Sequence, residues 1–143
     1  PRPPIVQKPI HLKEITRREN EAEYVKISRR FLNTLEDIHA DIVRIVKITN
    51  AHLEEKFNES LQKCPKGTRT EEFFYGPGGN VNPEKIYMSC EFGFDINLGN
   101  HIENGKKQLI FTKKAFFSHL NAFRHNQKFQ MLLAYVIVIP KKI

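Results

Sequence analysis

The sequence predicts an α+β domain, and three observations predict it. Runs rich in β-branched and aromatic residues, over 42–48, 71–76 and 129–139, read as strands. Leu53, Phe57 and Leu61, spaced four apart, mark an amphipathic helix between the first two of these runs. Clusters of proline and glycine, Cys64-Pro65-Lys66-Gly67 and Pro77-Gly78-Gly79-Asn80, punctuate the elements. With 143 residues, of which 40% are apolar and 27% charged, the chain has room for one domain with its own core.

The opening has three prolines in its first four residues, a fourth at Pro9 and then mixed charge. This predicts an irregular lead-in arm over 1–20 and a domain over 21–143. Glu23-Tyr24-Val25-Lys26-Ile27 alternates and predicts a short strand, after which Ser28 caps a helical turn with Phe31, Leu32 and Leu35 on one face. In Ile42-Val43-Arg44-Ile45-Val46-Lys47-Ile48, β-branched crowding favours strand over helix, with Arg44 and Lys47 facing out. Thr49 or Asn50 caps the helix over 51–63, whose outer face carries Glu54, Glu55, Lys56 and Glu59. Pro65 and Gly67 end it.

Glu71-Glu72-Phe73-Phe74-Tyr75-Gly76 is the stretch around which the chain is organised. Its phenylalanines favour a buried strand, and Gly76, lacking a Cβ, would let a ligand approach the main chain. Pro77 has no N–H for a ladder, so the strand breaks there. Asn82 and Pro83 open a short helix through Ile86 and Met88 that ends at Gly93. Residues 96–107 show little periodicity and are expected as a loop. Gln108-Leu109-Ile110-Phe111 reads as a short strand with Ile110 in the core, and Thr112 as the cap of a helix over 113–123 with Phe116, Leu120 and Phe123 on one face. Residues 129–139, apolar on both faces, predict a strand in the middle of a sheet.

Composition narrows the function classes. The net charge of +7 suits polyanionic partners, but it is spread along the chain. The densest basic cluster, Lys106 and Lys107 with Lys113 and Lys114, joined by Arg124, His125 and Lys128, is a candidate basic surface for RNA beside the plainer reading of a solvated face. Cys64 and Cys90 are the only cysteines and form no C-x-x-C pair, which predicts an intracellular, reducing setting, nuclear or cytoplasmic. The six histidines lack the i, i+4 spacing of a helical metal site, and no metal is predicted. The longest apolar run, 132–139, is too short to cross a bilayer, so a soluble protein without membrane association is expected. A Pro-rich start and an end just after a strand predict a piece of a longer protein, truncated at its C-terminus.

Three pieces in order carry a family resemblance. The first runs from Ile42 through Thr49-Asn50-Ala51-His52-Leu53, and the second from Glu71 through Gly93-Phe94-Asp95. The third is Ile110-Phe111-Thr112-Lys113-Lys114-Ala115-Phe116-Phe117-Ser118 with the later Met131-Leu132-Leu133-Ala134-Tyr135-Val136. Together, over about 23–139, these resemble the catalytic domain of the poly(ADP-ribose) polymerase family of diphtheria-toxin-like ADP-ribosyltransferases. The resemblance implies mixed, mainly antiparallel β-sheets with short flanking helices.

It also implies a lost site. The family's His for the adenosine ribose of NAD matches Tyr75, and the Tyr that stacks on nicotinamide matches Ile110, leaving Gly76 as the retained position. A late strand carrying the family's Glu would fall beyond Ile143. Tyr75, Gly76 and Ile110 are therefore degenerate NAD-site positions, with no catalytic residue and no cofactor expected. The leading expectation is a pseudoenzyme that serves as a protein-interaction or scaffolding module in a larger regulatory protein, with another protein chain or domain as its partner. The alternatives are RNA binding through the basic loops and a residual NAD-dependent mono-ADP-ribosyltransferase that uses Tyr75 in place of the His.

Overall fold

A computed structural model of the chain describes residues 10–78, 81–84, 101–120, 122–125 and 128–140. In chain order the elements are β1 (Ile10–Ile15), α1 (Glu21–Thr34), β2 (Ile45–Asn50), α2 (Ala51–Gln62), β3 (Arg69–Tyr75), β4 (His101–Glu103) and β5 (Lys106–Gln108). They continue with α3 (Ala115–His119), β6 (Phe123–His125), β7 (Lys128–Gln130) and β8 (Leu132–Val138). The strands pair antiparallel as β1 with β2, β3 with β8, β4 with β5 and β6 with β7. The domain is thus α+β, with small antiparallel sheets and a few helices.

The β2–α2 junction follows directly from the residues. Asn50 ends the strand in an extended conformation (φ −128°, ψ 99°), and its Oδ1 accepts from the Leu53 amide at 3.2 Å, satisfying one donor of the first helical turn. Arg44 and Lys47 face solvent, as do Glu54, Glu55, Lys56 and Glu59 of α2, while Leu53, Phe57 and Leu61 are half-buried.

Several expectations are corrected. Residues 23–27 lie in α1, because the longer pattern Tyr24, Ser28, Phe31, Leu35 keeps one face of a helix and outweighs a five-residue alternation. Ser28 is inside that helix and does not cap it. Its hydroxyl donates to Tyr24 O at 2.7 Å, so a polar side chain can be buried on the apolar stripe. Part of the lead-in arm forms β1, since pairing with β2 satisfies its main chain and only Ile15 needs burial. Within the expected loop, Glu103 and Lys106 pair across Asn104 and Gly105, both at positive φ (52° and 76°), the conformation that closes a two-residue hairpin.

The strand expected over 108–111 is corrected: β5 spans Lys106–Gln108 and ends where that strand was to begin. Thr112 does not cap a helix; it bridges to Phe74 through Phe74 N–Thr112 O at 2.7 Å and Thr112 N–Phe74 O at 2.9 Å. The helix after it is only α3, entered through an extended Lys114, and Phe123 belongs to β6. β8 has a single strand neighbour, β3, among the described residues, and Tyr135 stands out from it into solvent, so it is not a central strand there. Asn82 Oδ1 accepts from the Glu84 amide at 3.0 Å, as a helix start requires, while the remainder of that expected helix and the Gly93-Phe94-Asp95 turn lie outside the described residues.

The core sits where α1 ends against β3. Leu35, Phe74 and Ala115 are buried together, with Phe31, Ile38, Met131 and Leu133 packed around them. The start of α3 is tied in by Thr34, whose hydroxyl donates to Arg30 O at 2.6 Å and accepts from the Ala115 amide at 2.9 Å.

Candidate functional site

β3 sorts its side chains by alternation, and both candidate features follow from that. Glu72 and Phe74 face α1, where Phe74 meets Phe31 with ring centroids 6.2 Å apart and lies under the Arg30 guanidinium at 5.9 Å. Glu71 and Tyr75 face the other way. Tyr75 is 0% exposed, and its ring packs on Phe111 at 4.9 Å with a 38° tilt. Gly76 and Pro77 continue the buried segment.

Of the three positions singled out from the resemblance, Tyr75 and Gly76 are interior and Ile110 is not. The expectation of a core Ile110 is corrected: it is 39% exposed. Adjacent residues of an extended chain face opposite sides, so once Phe111 turns in against Tyr75, Ile110 must turn out.

The charged end of β3 borders an open depression of about 400 Å³. Lys26 and Arg30 of α1, Glu71 and Glu72 of β3, and Lys113 wall it, with Thr70 and Tyr135 completing the lining. Glu72 is held by Arg30 Nη1 at 3.2 Å and Lys26 Nζ at 3.6 Å, and Arg30 also donates through Nη2 to the Glu72 main-chain oxygen. On the opposite face Glu71 takes Arg69 Nε at 2.7 Å and Lys113 Nζ at 3.6 Å. Three lining cations thus surround two carboxylates, leaving the rim positive.

These partners set the titration of the site. The Arg69 hydrogen bond, with further help from the Arg69 and Lys113 charges, holds the Glu71 carboxyl below its ordinary value against a smaller opposing effect of burial. The Tyr135 phenol is pushed up, first by its hydrogen bond to the Glu72 carboxylate opposite it in the β3–β8 register and then by that carboxylate's charge.

The candidate basic residues fall on separate elements. Lys106 and Lys107 are on β5, Lys113 and Lys114 precede α3, and Arg124 and Lys128 are on β6 and β7, all of them exposed. Lys113 turns to Glu71, whereas Lys114 turns to Glu36 at 3.1 Å. Arg124 lies over the Phe129 ring at 5.1 Å. Of the six, the depression takes in Lys113.

Sequence reading missed Lys26, Arg30, Glu72 and Tyr135 as one group. The available signal was the pair Glu71-Glu72 inside a strongly β-forming run, where acidic residues are disfavoured unless cations meet them. Among the described residues no cluster of His, Cys, Asp or Glu could hold a metal ion, and no helix is long and apolar enough to cross a membrane. No protein-family model matches the chain, and neither a curated protein nor a solved structure matches it.

Proposed function

We propose that this chain is a catalytically inactive ADP-ribosyltransferase-like domain, a divergent relative of the poly(ADP-ribose) polymerase catalytic domain, that works as a protein-interaction module in a larger regulatory protein. One observation carries the reading. The side chain at the position that the resemblance assigns to a ribose contact, Tyr75, is 0% exposed and stacked on Phe111. Admitting a dinucleotide there would require expelling a fully packed aromatic side chain, a step that costs about 3–5 kcal/mol when such a side chain is truncated in a core. Ile110 supports the same reading, because it has no π face to offer a nicotinamide ring and is turned partly to solvent.

Phe117, Leu120 and Phe129 are exposed large apolar side chains, and the His119 ring meets Phe129 at 5.0 Å, which brings α3 against β7. Exposed apolar and aromatic side chains of this size are what protein contacts bury. The test is incubation of the purified chain with radiolabelled NAD and candidate acceptor proteins. The expected result is no transfer of label to itself or to any acceptor; time-dependent labelling that requires the folded chain and is lost on heat denaturation would refute the proposal.

A further inference from the structure

We propose, building on the interaction-module reading, that the outer edge of β3 at Thr70 and Glu72 takes an extended acidic peptide of a partner protein as an added strand. This edge is competent for pairing, because Phe74 already exchanges both main-chain hydrogen bonds with Thr112 across it. In an antiparallel ladder the main-chain groups of alternate residues point to the same side, so those of Glu72 and Thr70 point where those of Phe74 do. The chain cannot follow them. Beyond Thr112 it turns through Lys114 into α3, whose first amide is claimed by Thr34. Among the described residues β3 has β8 on one side and, on the other, the bridge at Phe74 and the Arg30 guanidinium on the Glu72 main-chain oxygen, which leaves the Glu72 N–H and both main-chain groups of Thr70 to an added strand. The depression of about 400 Å³ is lined by Thr70, Glu71 and Glu72 of this strand together with Lys26, Arg30 and Lys113.

The flanking charges choose the peptide. Lys26 is on the α1 side of the strand and Lys113 on the opposite side, with side chains 67% and 65% exposed. Each sits 3.6 Å from its carboxylate, whereas Glu72 keeps Arg30 at 3.2 Å and Glu71 keeps Arg69 at 2.7 Å. Both lysines can therefore turn to an incoming anion without stripping either glutamate of its cation, and exposed ion pairs are weak enough for such exchange. Consecutive residues of an added strand point to opposite faces, so two adjacent acidic residues would meet Lys26 and Lys113, one on each side. RNA fits less well, because its phosphates accept from main-chain N–H groups but bring no donor for the Thr70 carbonyl. A second copy would bring its own charge of +7 against this one.

The test is fluorescence anisotropy of a short fluorescein-labelled peptide of paired glutamates alternating with valine, titrated with the whole chain. Saturable binding is expected. It should weaken by about tenfold or more when alternate peptide amides are N-methylated, which removes edge hydrogen bonds and keeps the charge. The double variant Lys26→Gln/Lys113→Gln, its fold checked by melting, should weaken binding by about tenfold. Equal binding of the N-methylated peptide, no loss in the double variant, tighter binding of oligouridylate, or a dimer by light scattering that excludes the peptide would each overturn the proposal. Absence of peptide binding while NAD leaves the melting temperature unchanged sinks the edge site alone. A melting temperature raised by NAD sinks the reading on which it rests.

Discussion

Truncating Tyr75 to alanine should destabilise the protein about as much as removing a core aromatic. The side chain is 0% exposed and touches Phe111 with centroids 4.9 Å apart. An aromatic side chain buries about 150–250 Å², worth roughly 4–6 kcal/mol at about 25 cal/mol per Å², and its contact with a second ring adds about 1 kcal/mol. Residual burial in the unfolded chain reduces this sum, and aromatic-to-alanine changes in cores cost about 3–5 kcal/mol. At a urea dependence of about 2 kcal/mol per M, a loss of about 4 kcal/mol lowers the unfolding midpoint by about 2 M. Ile110→Ala is the control: with 39% of the residue already exposed, it should cost about 1 kcal/mol or less. The assay is equilibrium urea unfolding followed by far-UV circular dichroism. Equal midpoints for Tyr75→Ala and Ile110→Ala would refute the reasoning, since a side chain placed to touch a ligand can be truncated cheaply and a core plug cannot.

Thr34→Val should cost about 1–3 kcal/mol, because it leaves the buried Ala115 amide without its acceptor, while Thr34→Ser stays near wild type; calorimetric melting separates the two. Glu71 has a folded-state pKa below its unfolded value, so its contribution is present above the ordinary 4.5 and disappears as pH falls through the lowered value. Acid unfolding curves of Glu71→Gln should accordingly be shallower than wild type in that window, and added salt should shrink the difference. Tyr135 has the opposite sign: its neutral form is favoured in the folded state, so its contribution is full below pH 10.0 and disappears as pH rises through the raised value. In a spectrophotometric titration, Glu72→Gln should bring the Tyr135 midpoint back toward 10.0; an unmoved midpoint would contradict the assigned cause.

Legibility in the sequence depended on how local each cause was. The Asn50 cap and the strand ending at Tyr75 were readable, because a side chain bonding three residues ahead and a run of aromatics before a proline need nothing distant. The Asn104-Gly105 hairpin was equally local and was passed over, since its strands are only three residues each and carry no hydrophobic alternation. α1 was misread because Ser28 interrupts its apolar stripe, and only the return of its hydroxyl to Tyr24 makes that polarity compatible with burial. The charged depression was hidden for a different reason. Arg30 and Glu72 are 42 residues apart, and no local pattern announces a pair closed by packing α1 on β3. Ile110 shows the limit of composition: its neighbours Leu109 and Phe111 suggest core, yet the inward turn of Phe111 decides which way it faces.

Isothermal titration of the whole chain with NAD tests the central claim most directly. With Tyr75 packed in the interior against Phe111, the account predicts no saturable heat up to millimolar ligand. A saturable isotherm with micromolar affinity, abolished by substitution at Gly76, would contradict it.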